Sequence, residues 1–461
     1  MSHMEYKKET RISTDIEQLF RWHERKGAVS RLTPPWVSLK LVNHSGGIET
    51  GTQVHFILKI FGIPFVWQAE HIDYKKNILF RDQQTKGPFK SWIHTHGFEK
   101  LSDTESLMVD HVRYQLPFGI FGRMFGPLSR KDMARIFTFR HRVLKDDLEQ
   151  MPGNFHPMTI LVSGASGTIG SALVPFLMTC GHRVIRLVRR KPDPSNDEVF
   201  WDPDQGILDL DEDLGIDAVI NLNGLDISRG RWTDDQKDKI IQSRTRPTAL
   251  LIKKMSQRAV TPKVFLSSSA IGYYGHGGER LLTEADSCGD RFISGVCREW
   301  EDASRVGNAS GMRVVQLRIG IVLTPAGGAV ERMVFPFLLG LGTKVSRGDQ
   351  YMSWISMEDT LGSIHHILFN EDIKGPVNLT APNPVTNKVF TTTLARVLNR
   401  PAWFTLPSFV VRLLWGQMGE ETLLDSARVA PQALAETGYQ FRFTGIENAL
   451  RHALGRYGDE G

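Results

Sequence analysis

Gly164-Ala165-Ser166-Gly167-Thr168-Ile169-Gly170 constrains this chain more than any other stretch. It follows an apolar, strand-like run, Thr159-Ile160-Leu161-Val162, and opens a helical pattern with Ile169, Leu173, Phe176 and Leu177 on one face. A strand that turns through glycines into a helix brings bare backbone N–H groups to one point, where the helix dipole favours an anion. The spacing G-x-x-G-x-x-G in that setting predicts a dinucleotide pyrophosphate site formed by Gly164, Ser166, Gly167, Thr168, Ile169 and Gly170. An ordinary glycine turn is the alternative, and the flanking strand and helix argue against it. The motif begins about a third of the way along the chain, so another domain precedes it.

At 461 residues the chain exceeds one ordinary core, and two or three domains are expected. Its richest apolar stretches, near Val334–Leu341 and Phe409–Trp415, are short and interrupted, well below the ~18–20 residues of a membrane span. The polar start, Met-Ser-His-Met-Glu-Tyr-Lys-Lys, is unlike a signal peptide. Three cysteines (Cys180, Cys288, Cys297) build no disulfide framework, which suits a reducing, cytoplasmic compartment. Met1–Gln150 carries 23 Lys+Arg against 17 Asp+Glu, a net +6 that leaves −1 of the whole chain's +5 for the remainder. Those basic residues are interleaved with acidic ones, which favours a solvated surface over a nucleic-acid partner.

Gln150-Met151-Pro152-Gly153-Asn154 marks a hinge. Before it lie a helix at Ile16–Arg25, strands at Ser38–Val42, Gln53–Ile60, Pro64–Ile72, Asn77–Asp82, Phe89–Leu101 and Ser106–Gln115, and a long helix at Ser129–Leu148. This order predicts an α+β domain whose curved sheet holds the long helix. Leu32-Thr33-Pro34-Pro35-Trp36, the Gly46-Gly47-Ile48 turn and Gly87-Pro88-Phe89-Lys90-Ser91-Trp92-Ile93-His94-Thr95-His96 resemble the START-like helix-grip (SRPBCC) domain, here residues 1–152. The resemblance implies a cavity for an apolar or aromatic ligand. Trp36, Trp67, Phe89 and Trp92 are candidates to line it or to serve as ordinary core.

After the hinge, strands at Thr159–Ser163, Arg183–Val188, Ala218–Asn221, Lys263–Ser268 and Arg313–Ile319 alternate with helical patterns, which predicts a doubly wound parallel Rossmann sheet. Thr233 followed by Gln236 caps the helix starting at Asp234. The second strand ends in Arg189-Arg190, where an NAD-selective chain usually places an acidic residue for the ribose 2′-OH. A guanidinium matches a 2′-phosphate, so the pair favours NADP(H) over NAD(H), unless both arginines only solvate the strand end.

From Thr159 to Leu454 the chain resembles the atypical, epimerase-like subgroup of the extended short-chain dehydrogenase/reductase family. The glycine turn, Asn221-Leu222-Asn223-Gly224, Arg229-Gly230-Arg231-Trp232-Thr233, Leu266-Ser267-Ser268-Ser269-Ala270-Ile271-Gly272-Tyr273-Tyr274-Gly275, Leu317-Arg318-Ile319-Gly320 and Gly375-Pro376-Val377-Asn378-Leu379 carry the resemblance. It implies an NADP-binding Rossmann domain over residues 158–400 and a small C-terminal helical domain over 401–454 that completes a substrate lobe. Asn221, Asn223, Gly224 and Ser268 would border the cofactor, and Ser269 would take the catalytic hydroxyl role.

The family's Tyr-x-x-x-Lys pair, in which the lysine lowers the tyrosine pKa, is absent. The helix that should carry it reads Phe292-Ile293-Ser294-Gly295-Val296-Cys297-Arg298-Glu299-Trp300-Glu301. Matching Glu301 to the acidic residue after the motif puts Ile293 at the tyrosine place and Cys297 at the lysine place. Tyr273, Tyr274, Glu284 and Cys297 are the candidate replacement acids, the tyrosines being alternatively packing aromatics and Cys297 a small buried side chain. Arg244 stands where relatives carry Asn, and Ser356 stands in Trp354-Ile355-Ser356 where relatives carry His. His94 and His96 share one strand face and His71 is placed to meet them, but no fixed fourth ligand is legible, so satisfied histidines are favoured over a metal site. The expectation is an NADP(H)-dependent oxidoreductase or epimerase acting on a small carbonyl or hydroxyl substrate. The alternatives are a non-catalytic NADP(H) sensor and an apolar-ligand carrier.

Overall fold

The computed structural model describes residues 4–44, 46–60, 63–117, 126–228 and 230–458; Arg229 of the motif above lies outside the described residues. The chain divides into two units: Met1–Phe155 with Pro175–Gly181 and Leu454–Gly461, and His156–Val174 with His182–Ala453.

In the first unit, period-two burial generates an antiparallel sheet with one covered face. Its elements are β1 (Met4–Ile12), α1 (Ile16–Glu24), β2 (Leu39–His44), β3 (Gln53–Ile60), β4 (Ile63–Lys75), β5 (Leu79–Lys86), β6 (Ser91–Lys100), β7 (Ser106–Gln115) and α2 (Gly126–Glu149). Among the described residues the strand order is β1-β7-β6-β5-β4-β3-β2. Asp15 caps α1 by accepting from the Gln18 amide. Residues at alternate strand positions (Phe80, Phe98, Met108) join Leu19, Phe20 and Trp22 of α1 and Leu144 of α2 in one core. Val112 and Tyr114 pack with Met133 and Phe137 of α2 in another. Of the aromatics expected either in a cavity or in the core, Trp67 meets Phe89 at 5.5 Å and Trp92 at 5.2 Å, edge to face, while Trp36 meets Phe139.

The second unit contains β8 (Thr159–Ser163), the first five residues of α3 (Gly170–Cys180), β9 (Arg183–Val188), β10 (Glu198–Asp202), β11 (Ile207–Leu208), β12 (Ala218–Asn221), α4 (Asp234–Ser256), β13 (Val264–Ala270), α5 (Phe292–Arg305), β14 (Arg313–Ile319) and β15 (Gly375–Leu379). The strand order among the described residues is β11-β10-β9-β8-β12-β13-β14-β15. Every pairing is parallel except β10–β11. This is the α/β Rossmann-like sheet expected from the alternating pattern. Its strands are apolar on both faces, and β8, β12 and β14 supply Ile160, Val219 and Val315, all wholly buried. From β8 the chain winds outward through β9 and β10, then returns to β12 and winds the other way. The strand order therefore reverses between β8 and β12, where a crevice opens at the carboxyl ends of such sheets. Thr233 caps α4 by accepting from the Gln236 amide. Helices at Ser408–Gly419, Gln432–Glu436 and Ile446–Ala453 complete this unit. No helix among the described residues is long and apolar enough to cross a membrane.

Candidate active site

The glycines at the β8–α3 turn meet separate steric demands. Gly164 has φ +72°, and a Cβ there would lie 2.6 Å from the Leu222 carbonyl oxygen. At Gly170 a Cβ would fall 2.2 Å from the Gly164 oxygen, because the helix begins directly against the turn. Gly167 is looser, with the Gly164 oxygen 3.3 Å from the added carbon. The amides of Thr168, Ile169 and Gly170 have no hydrogen-bond acceptor among the described residues, as expected for a helix start open to an anion. Gly170→Ala should therefore destabilise the fold by about 1–3 kcal/mol through overpacking. Gly167→Ala should keep the thermal midpoint within ~2 °C and weaken nucleotide binding alone; denaturation and nucleotide titration of both variants check the contrast.

The two strand-end arginines differ. Arg190 donates to Glu198 Oε1 at 2.7 Å, and that buried carboxylate also meets Arg186 at 3.3 Å. Burial pushes Glu198 up, but the bonds from Arg190 and the Asp193 amide outweigh it and hold the group below its ordinary range. Arg189 is exposed, with no hydrogen-bond or ion-pair partner among the described residues.

Behind the turn, a chain of buried polar groups ties the strand ends to the helices. Ser163 Oγ donates to Asn221 Oδ1 at 2.8 Å, and Asn223 Nδ2 reaches both that oxygen and Ser163 Oγ. Asn221 Nδ2 donates to Thr248 Oγ1 at 2.8 Å; Thr248 in turn donates to the Arg244 carbonyl and accepts from Trp300 Nε1. Asn221 is wholly buried, so its side chain braces the site from within.

Arg244 is 9 % exposed and lies beside Gly224, where a Cβ would stand 3.3 Å from its Cζ. Its guanidinium donates to the carbonyls of Ile240 (2.9 Å) and Leu225 (3.0 Å) and to Ser243 Oγ, and it lies over the Trp300 ring. Among the described residues it has no carboxylate ion-pair partner, although Cys297 and Asp226 are its electrostatic neighbours. Burial lowers its pKa from the ordinary arginine value. A buried guanidinium bonded only to neutral acceptors keeps its charge available to an incoming anion.

The expected catalytic side chains separate into two groups. Ser269 is buried and donates to Glu301 Oε1 at 2.8 Å. Glu301 is wholly buried and also holds Arg318 through both oxygens, at 2.8 and 3.0 Å. Burial lowers the Arg318 pKa, but bonding to Glu301 outweighs it and holds the guanidinium above its ordinary range. Arg318 bonds the Tyr274 hydroxyl at 2.9 Å, and that hydroxyl donates to Asn378 at 2.7 Å. Burial pushes Tyr274 up to about 12. Glu284 Oε1 accepts from the amides of Asn378 and Ala433, while Oε2 has no partner among the described residues. Burial pushes Cys297 up to about 12, which keeps it a thiol at neutral pH. Ser356 caps the helix at Met357–Phe369 by accepting from the Asp359 amide, and it donates to that residue's carboxylate. Tyr273 is half-buried, carries Arg318 over its ring at 3.5 Å, and has no hydroxyl partner among the described residues. Ser268 is buried at the end of β13. The Glu301–Arg318 pair is the arrangement sequence reasoning missed; its only advance signal was the alignment of Glu301.

Residues 160–379 match the NAD dependent epimerase/dehydratase family, and residues 406–453 match a domain of unknown function (DUF1731). The chain is 41% identical over 299 residues to an epimerase family protein of Mycobacterium bovis, covering 65% of this chain and 98% of that one. A crystal structure of a nucleoside-diphosphate sugar epimerase from Corynebacterium glutamicum superposes with TM-score 0.80 at 30% identity, over 98% of this chain and 90% of the other. The human epimerase family protein SDR39U1, crystallised with NADPH, superposes with TM-score 0.59 at 32% identity, over 64% of this chain and 99% of that one. With the glycine turn, the reversing parallel sheet and near-complete coverage of a relative at that identity, the chain belongs to the NAD dependent epimerase/dehydratase family.

Proposed function

We propose that the second unit binds NADP(H) at the β8–β12 crevice and acts as an oxidoreductase or epimerase on a small carbonyl or hydroxyl substrate. The observation that carries this reading is the Gly164–Gly170 turn, with three unpartnered helix-start amides, on a sheet whose next strand ends in the unpaired Arg189. Gly167 leaves room for close approach of the pyrophosphate, and Arg189 takes the 2′-phosphate while Arg190 remains with Glu198. NADPH in the human relative supports this choice of nucleotide. When bound, the nicotinamide supplies hydride exchange with a carbon–oxygen centre.

In place of Tyr-Lys, Arg244 compensates negative charge on the substrate oxygen, and the Tyr273 hydroxyl exchanges its proton. The Arg244 charge acts on the helix position where the lysine is missing, since Cys297 is one of its electrostatic neighbours. Ser269 serves this reading as a positioning residue that anchors Glu301. The substrate lobe is formed by Phe335–Gly348 and residues after Pro376, where Phe335, Leu339, Trp403 and Phe409 present exposed apolar surface. The first unit is assigned as a START-like domain for an apolar ligand, on the support of its antiparallel sheet packed with α2.

Nicotinamide absorbance, followed over alcohols, carbonyls and nucleoside-diphosphate sugars, tests the reaction. Tight NADPH binding with no turnover across that panel would replace the enzyme by a sensor. Arg189→Ala should weaken NADPH roughly ten- to a hundredfold, the loss of charge-assisted bonds, and leave NADH unchanged. An unaltered NADPH/NADH ratio would sink the 2′-phosphate assignment.

A further inference from the structure

We propose that the first unit holds a divalent transition-metal ion between Asp82, His94 and His96, with Asp110 as the carboxylate that orients the imidazoles. The register builds this cluster: Asp82 pairs with His94 across β5–β6, and His96 pairs with Asp110 across β6–β7. Period-two alternation then turns all four side chains to the covered face, where both histidines are 5 % exposed and Asp110 is 2 % exposed. His71 lies opposite Asp82 on β4, at the same level.

The arrangement is short of positive charge. His94 Nε2 donates to Asp110 Oδ1 at 2.9 Å, and His96 Nδ1 lies 2.9 Å from the same oxygen. The other nitrogens, His94 Nδ1 and His96 Nε2, lie 3.5 and 3.6 Å from Asp82 Oδ2. Four ring nitrogens thus face two carboxylate oxygens, while two neutral imidazoles carry only two protons between them. With the His94 proton directed to Asp110, the His94 Nδ1 lone pair faces the Asp82 carboxylate, while His96 Nδ1 has no hydrogen-bond partner among the described residues, an arrangement that a bound cation would stabilise. Tetrahedral bonds of 2.0–2.1 Å place ligand atoms roughly 3.3 Å apart, close to the observed spacing. Ligand atoms from Asp82, His94 and His96 all lie within 4.8 Å of one another.

Asp110 supplies the second half of a metal site. It accepts from His141 Nε2 at 3.0 Å as well as from His94, and His141 bonds Thr10 through its other nitrogen. Such a carboxylate fixes which imidazole nitrogen is left to bind metal. His23 donates through Nδ1 to the Leu19 carbonyl, so its buried Nε2 carries a lone pair with no partner among the described residues; its ring lies 6.2 Å from that of His96. Two imidazoles and one carboxylate are a ligand set for zinc or ferrous ion and leave coordination positions open. Protonation of the cluster is the competing way to supply the charge.

The test is Co²⁺ titration of the full, chelator-stripped chain, followed by d–d absorption, with Zn²⁺ competition and metal analysis after dialysis. One ion per chain is expected, with a raised thermal midpoint on Zn²⁺ addition. His94→Ala and Asp82→Asn should weaken binding at least a hundredfold, and Asp110→Asn about ten- to a hundredfold. No stoichiometric binding by the folded wild-type chain would overturn the assignment, even if the variants fail to fold. Undiminished binding by a folded His94→Ala/His96→Ala chain would also overturn it.

Discussion

Replacing Glu301 by alanine is expected to lower the stability of the parallel-sheet unit by about 3–5 kcal/mol, because Arg318 is left charged and buried without its counter-ion. The side chains of Arg318 and Glu301 are 2 % and 0 % exposed, so water cannot substitute for the lost carboxylate. Ser269 loses its acceptor in the same step. At about 2–4 °C per kcal/mol, the thermal midpoint should fall by roughly 10 °C. Glu301→Gln retains an acceptor and should cost less. Glu301→Leu combined with Arg318→Met should recover much of the loss, since replacing both partners by apolar groups removes the unpaired charge. Thermal and urea denaturation of the three variants would read this directly. Additive losses in the double variant would show that the pair acts independently, contrary to the geometry.

Arg244→Met should reduce kcat by about 10²–10³, the effect of removing one group that stabilises developing oxyanion charge. NADPH affinity, measured separately by titration, should change by less than about tenfold. Arg244→Lys should restore part of the rate because it retains a cation, though not the fork that bonds Ile240, Leu225 and Ser243. Cys297→Ser should leave the pH profile in place, because the thiol does not ionise near neutrality. A full rate in Arg244→Met would remove this residue from the chemistry and direct attention to Tyr273.

Strands buried on both faces were the most legible part of the chain. β8, β9, β12 and β14 coincide with their expected limits, since short apolar runs between turns have few other places to go. β1 was missed because Met4–Ile12 alternates charged residues over an edge strand that, among the described residues, pairs only with β7. β10 opens on Glu198, whose burial depends on distant arginines, and β15 opens on Gly375-Pro376. Within the site, the glycine turn was readable because its requirements are local. The Glu301–Arg318 and Asp82–His94 pairings were not, because the packing of α5 on the sheet decides the first and the β5–β6 register decides the second. Neither local pattern nor residue type distinguishes Arg189 from Arg190; only the position of Glu198 does.

Thr248 has no unused bonding capacity. Its hydroxyl has one proton, given to the Arg244 carbonyl, and two lone pairs, taken by Asn221 and Trp300. Valine reproduces its shape but would strand two donors, whereas serine preserves the valence and loses only a methyl group. The freedom of this position to vary is therefore set by counting electrons on one oxygen, and that oxygen joins the end of β12 and the helix carrying Trp300 to the helix carrying Arg244.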